Sequence, residues 1–133
     1  MAYSPYGRYF WQHQGTITSS SNSTTLNTPT NSPIDIHDAT DLWLAVYAPN
    51  TPTGTAPTLT VQLDVFDDFG NLFPAVLALT QLTTSTLKAQ GSVGVHVQGG
   101  TSLVLPAQCQ VSWTIGGTGS PTWPGLCISL LGR

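Results

Sequence analysis

"TLTVQLDVFD" (58–67) alternates strictly. Leu59, Val61, Leu63 and Val65 fall on one side, while Thr58, Thr60, Gln62 and Asp64 fall on the other. A period of two sends successive side chains to opposite faces of an extended chain, so this is a strand with one face on a core and the other toward solvent. The pattern recurs on both sides of it. "DLWLAVYA" (41–48) sets Leu42, Leu44 and Val46 against Trp43, Ala45 and Tyr47. "SVGVHVQ" (92–98) predicts Val93, Val95 and Val97 inside, and "CQVSWTI" (109–115) aligns Cys109, Val111, Trp113 and Ile115. "GLCISLLG" (125–132) aligns Leu126, Ile128 and Leu130, with Cys127 on the opposite face.

Turn signals separate these runs: "PNTPTGTAP" (49–57), "DDFGN" (67–71), "QGG" (98–100) and "GGTGSPTWPG" (116–125). "AVLALTQLTTSTLKAQ" (75–90) comes closest to a helical period, but its Thr and Ser at 83–86 favour strand and loop. Weaker strands near 15–20, 72–80, 82–88 and 101–105 bring the total to about eight or nine. One half-exposed sheet cannot bury so many apolar faces, whereas two packed sheets can. The predicted fold is all-β: an antiparallel β-sandwich, jelly-roll-like.

Composition supports this and removes several functions. Charged residues are 7% of the 133, against about 25% in ordinary soluble proteins. The cations are Lys88, Arg8 and Arg133, and all six acids are Asp. Solubility rests on hydroxyls and amides, and the abundant Thr suits a pleated surface. A net charge of −3 with so few cations argues against a nucleic-acid partner, and no basic patch for anionic lipid is visible. The start of the chain lacks a charged region followed by an apolar run, so no secretory signal is expected. "PAVLAL" (74–79), the longest apolar stretch, is too short to span a bilayer. Cys109 and Cys127 fit no zinc spacing and read as reduced thiols in a protein assembled in a cytosol, with a single disulfide between neighbouring strands as the alternative.

The domain division follows the same logic. "TSSSNSTTLNTPTNSP" (18–33) offers almost nothing apolar to offset the entropy of ordering, so residues 1–33 are expected to form an extended arm and 34–133 the sandwich. "YSPYGRYFWQH" (3–13) loads that arm with Tyr3, Tyr6, Tyr9, Phe10 and Trp11, each worth about 150–250 Å² if buried. Together with Arg8 these form the predicted partner-binding set, docking on a capsid or a neighbouring copy. The alternative is that the segment folds back on its own sandwich.

Signals for chemistry are weak. Asp64, Asp67 and Asp68 in "LDVFDDFGN" suit a calcium loop or a simple hairpin turn, and the turn is favoured. "DIHDATD" (35–41) reads as a turn into the 41–48 strand rather than a metal site. Two carboxylates from these clusters could form a glycosidase pair only if the fold brought them together. His13, His37 and His96 have no nucleophile elbow to serve, so no catalytic residue is assigned and the chain is expected to be non-enzymatic, with no metal or cofactor. Trp123, between turn residues, is expected at a loop tip, where it would cap the sandwich, contact a protein or stack on a sugar.

"VSWTIGGTGSPTWPGLCISLLGR" (111–133) resembles the C-terminal hairpin of short capsid-associated proteins in tailed phages of actinobacteria. The shared features are a strand with Trp-Thr, a Gly-Gly-Thr/Ser-Pro loop and a last strand ending Ser-Leu-x-Gly-Arg. The resemblance implies a decoration (cementing) protein on the outside of the virion head. Its implied partners are the major capsid protein and itself, as a homotrimer. A tail or head-fibre carbohydrate-binding module, using Trp123 and Trp43, is the alternative.

Overall fold

The computed structural model describes residues 7–26, 32–97 and 103–133. Its elements in chain order are β1 (Arg8–Ile17), β2 (Ser21–Asn22), one helical turn α1 (Ser23–Leu26), β3 (Ile34–Asp35), β4 (Asp41–Tyr47), β5 (Thr53–Phe66), β6 (Leu72–Ala78), β7 (Lys88–Gly94) and β8 (Gln108–Gly132). Every pairing between these strands is antiparallel.

The 25-residue β8 is the spine. Along one side, β4 and β5 run as a single ribbon. Leu42 stands opposite Gly132 and Phe66 opposite Gln108, so both chains advance by the same number of residues between these pairs. Along the other side, β1 pairs with the Trp123–Gly132 half, and β2 and β3 pair with the Gln108–Trp113 half. Two sheets result, β1–β8–β4–β7 and (β2, β3)–β8–β5–β6, sharing one strand.

The shared strand needs a corner, and the sequence supplies one. "GGTGSPTWPG" and "PNTPTGTAP" look like loops between strands, yet they pair across the bend, with Thr53 opposite Thr122 and Thr55 opposite Thr118. Register shifts fall between Thr53 and Thr58. Glycine and proline serve a bulged corner as well as a turn, because each bulge adds an unpaired residue and sharpens the bend. Gly117 has φ +106°, and a Cβ there would lie 2.8 Å from the carbonyl oxygens of Thr55 and Ala56. No hairpin therefore exists in 111–133; residues 108–132 form one continuous bent strand.

The alternation in 58–67, 41–48 and 125–132 sets the inner faces. Leu42, Leu44, Val46, Leu126, Ile128 and Leu130 from one sheet meet Leu59, Val61, Leu63, Val65, Cys109, Val111 and Trp113 from the other. Each such side chain contributes about 1.5–3 kcal/mol when fully buried. Far from the spine the sheets nearly close into a barrel: a Cβ on Gly91 of β7 would lie 3.0 Å from Leu77 Cδ1 of β6. The 92–98 prediction is partly corrected. Val93 is buried, but β7 ends at Gly94 and leaves Val95 47% exposed.

The arm is corrected more deeply. Arg8–Ile17 is an edge strand of the sandwich, not an extension that awaits a partner. A bulge between Tyr9 and Trp11 brings Phe10 and Trp11 both against the core. Trp11, His13 and Trp113 stack with near-parallel planes and centroids 6.2–6.5 Å apart. The described start of the polar stretch, residues 18–26, is held by hydrogen bonds instead of apolar burial. Ser20 Oγ accepts from Ile115 N and Ser23 Oγ from Val111 N, both at 2.9 Å, and Ser19 O accepts from Trp113 Nε1 at 3.0 Å. Hydroxyls there satisfy the open backbone edge of β8, a demand invisible in hydropathy.

Candidate functional site

The β5–β6 turn is built by Asp67. Its Oδ1 accepts from Phe69 N and Asn71 N at 2.9 and 2.8 Å, its Oδ2 from Asn71 Nδ2 at 2.8 Å, and its carbonyl from Gly70 N. Asn71's side chain and these backbone donors hold the Asp67 carboxyl below the usual carboxylate range. A turn so fully bonded is rigid, and it carries apolar side chains outward. Phe69 is 89% exposed, Phe73 52% and Leu72 44%. Such a preorganised apolar tip suits a protein contact, since little ordering cost remains to be met on binding.

Beneath the tip lies Asp64, 2% exposed. Oδ1 accepts from Gln62 Nε2 (2.8 Å) and Ala75 N (2.9 Å), and Oδ2 from Gln110 Nε2 (2.9 Å) and Ser112 Oγ (2.8 Å). Thr24 in α1 extends the network to Gln110 Oε1. Asp64 thus ties β5, β6, β8 and α1 together, with its lone pairs taken by protein donors. It is not placed as a calcium ligand beside Asp67 and Asp68.

The fold does bring the two Asp clusters to one place. Asp35, His37, Asp67 and Asp68 line a shallow depression of about 530 Å³ beside the tip. His37 Nδ1 lies 2.7 Å from Asp35 Oδ1. Hydrogen bonds from the His37 backbone and ring lower the Asp35 pKa, and the same bond raises that of His37. A glycosidase acid needs its pKa raised, and those of Asp35 and Asp67 are lowered.

A second depression, of about 440 Å³, opens where β4 begins. Asp41 is its centre: Oδ1 accepts from His96 N (2.9 Å), and Oδ2 lies 2.9 Å from His96 Nδ1 and 3.5 Å from Arg133 Nε. Burial pushes the Asp41 pKa up, but the His96 hydrogen bonds and the Arg133 charge outweigh it and hold the group low. Trp43, Ser92 and Leu131 form the adjoining wall. That wall continues as the outer face of the β1–β8–β4–β7 sheet. Pairing sets Tyr9, Leu131, Trp43 and Ser92 in one row, Gln12, Ser129, Ala45 and Gln90 in the next, and Gln14, Cys127, Tyr47 and Lys88 in a third.

Of the predicted partner-binding residues, Tyr3 and Tyr6 lie outside the described residues. Arg8 pairs with Asp38 and its guanidinium carbon sits 4.5 Å from the Phe10 ring centroid. Phe10 and Trp11 pack on the core, and Tyr9 alone of the described arm aromatics is largely exposed. Trp123 is corrected: it is fully buried opposite Ile17, because the corner turns residue 123 inward instead of presenting a loop tip. Phe69, Leu72 and Phe73 were legible as apolar residues at a turn signal. The Asp41–His96–Arg133 cluster joins residues far apart in sequence and leaves no local signal.

Both cysteines are free thiols, and burial pushes that of Cys109 up to about 12. Among the described residues, no group of three or more His, Cys, Asp or Glu is placed to hold a metal ion, and no helix is long and apolar enough to cross a membrane. No family model, no curated protein and no solved structure matches the chain.

Proposed function

We propose that this chain is a non-enzymatic phage capsid decoration protein that binds the outer head surface as a homotrimer and stabilises it. The observation that supports this reading is the rigid apolar tip at Phe69, Leu72 and Phe73, uncovered at one end of an otherwise self-sufficient β-domain. Contact with the major capsid protein passes to this tip from the N-terminal segment, whose described aromatics are largely spent on the protein's own core. Low charge suits many copies packed side by side, since clustered like charges would repel. The contribution is mechanical: interface area repeated over the shell resists internal pressure.

The test is co-sedimentation with heads assembled from the major capsid protein of the phage that carries it. Saturable binding is expected, weakened at least about tenfold by Phe69→Asp combined with Phe73→Asp. Heads that bind none of the protein, or bind the double variant equally well, refute the reading. Light scattering after gel filtration reads the oligomer independently, with a mass three times 14.1 kDa expected.

A further inference from the structure

We propose that the outer face of the β1–β8–β4–β7 sheet, with the depression at its Asp41 end, binds an uncharged, hydroxyl-rich polysaccharide. This does not rest on the capsid reading and uses a different surface.

Three aromatic side chains stand on this face. Tyr9 is 62% and Tyr47 51% exposed, and Trp43 is half-buried. Trp43 Nε1 donates to Gln90 Oε1 on the neighbouring strand, two residues along from its direct partner Ser92. The bond draws the indole across the sheet and satisfies its polar edge. Tyr9 and Trp43 are separated by one strand, hence about 10 Å, and Trp43 and Tyr47 by four residues of one strand, about 14 Å.

That spacing argues for the occupant. A protein interface of this size concentrates its apolar residues in a contiguous, water-free centre. Here Leu131 joins Tyr9 and Trp43 in one short apolar strip, but the row that separates them from Tyr47 carries Gln12, Ser129, Ala45 and Gln90, so ring faces alternate with amides, a hydroxyl and one methyl. A pyranose chain has the matching pattern, with C–H faces for stacking and hydroxyl rims for hydrogen bonding. Charge agrees. Lys88 is the one cation in the three rows and no carboxylate stands there, too little charge to hold nucleic acid or an acidic glycan. At the Asp41 end the Arg133 guanidinium faces the carboxylate at 3.5 Å and His96 hydrogen-bonds to it, so that rim offers polar groups with its negative charge already paired. Its volume of about 440 Å³ lies within the range of small-ligand sites.

The experiment is native affinity electrophoresis through gels containing hydroxyethylcellulose, galactomannan or glycogen, with polygalacturonate as the acidic control. Retardation is expected in at least one neutral gel and not in the control. Trp43→Ala should weaken it about tenfold, with Trp43→Phe retaining most of it. Tyr9→Ala and Tyr47→Ala, at exposed positions that the core does not need, should each weaken it severalfold and keep the proposal testable if the Trp43 variant misfolds. The Phe69→Asp, Phe73→Asp protein should be retarded like the parent. No retardation in any neutral gel overturns the proposal, as does equal retardation of folded Trp43, Tyr9 and Tyr47 variants. A self-association that Tyr47→Ala abolishes, without glycan binding, assigns the face to a second copy instead.

Discussion

Ile17 stands opposite Trp123 where β1 meets the corner of β8, and both side chains are buried. The leading strand and the bend of the spine thus share one patch of core. Removing residues 1–17 would expose it, so that truncation is expected to unfold the protein.

Trp123 gives the finer prediction. Its indole Nε1 is buried with no hydrogen-bond partner among the described residues. Trp123→Ala should cost about 3–5 kcal/mol through the cavity it leaves. Trp123→Phe should cost clearly less, because it also removes an unsatisfied donor whose burial costs about 1–3 kcal/mol. Urea unfolding checks the order: midpoints falling from wild type through Phe to Ala, with little change in slope. A Phe variant as unstable as Ala would mean the N–H has a partner.

Asp64 is a buried carboxylate held by four protein donors. Asp64→Asn keeps the shape but turns a donor toward donors, at a cost of about 1–3 kcal/mol. Asp64→Ala strands all four and should cost more. Urea midpoints give both values, and faster amide exchange at Ala75 would localise the loss to the β5–β6 junction. Tight calcium binding that disappears with Asp64→Asn would contradict the role assigned here.

Two histidines should titrate in opposite directions from the usual 6.5. Burial lowers the His13 pKa, and the hydrogen bond to Asp35 raises that of His37. The linkage signs differ. His13 binds its proton more weakly when folded, so its contribution is intact above pH 6.5 and is lost as pH falls toward its folded pKa. His37 binds more tightly when folded, so its contribution is full below 6.5 and is lost as pH rises through its folded pKa. Ring-proton NMR titration should separate the two, and Asp35→Asn should move His37 alone back toward the ordinary value.

Strand faces were legible in the sequence because the pleat enforces a period of two whatever the partner. Leu59, Val61, Leu63 and Val65 had to share a face, and so did Leu126, Ile128 and Leu130. The Asp67 turn was equally legible, being closed by side-chain bonds two and four residues away. The candidate surfaces were less so. Phe69 and Phe73 sit at a visible turn signal, whereas the Tyr9–Trp43–Tyr47 face exists only once β8 lies between β1 and β4.

What the sequence determined by itself is therefore an all-β chain, the inward faces of β4, β5 and the end of β8, and the Asp67 turn, since each follows from contacts within a few residues. Tertiary structure alone decided that residues 116–125 bend a continuous strand rather than reverse it, because glycine and proline permit either geometry and only the paired bulges around Thr55 select one. It also decided that a polar serine-rich stretch belongs to the fold. The unpaired amides of β8 demand acceptors, and that demand arises only after distant segments have met.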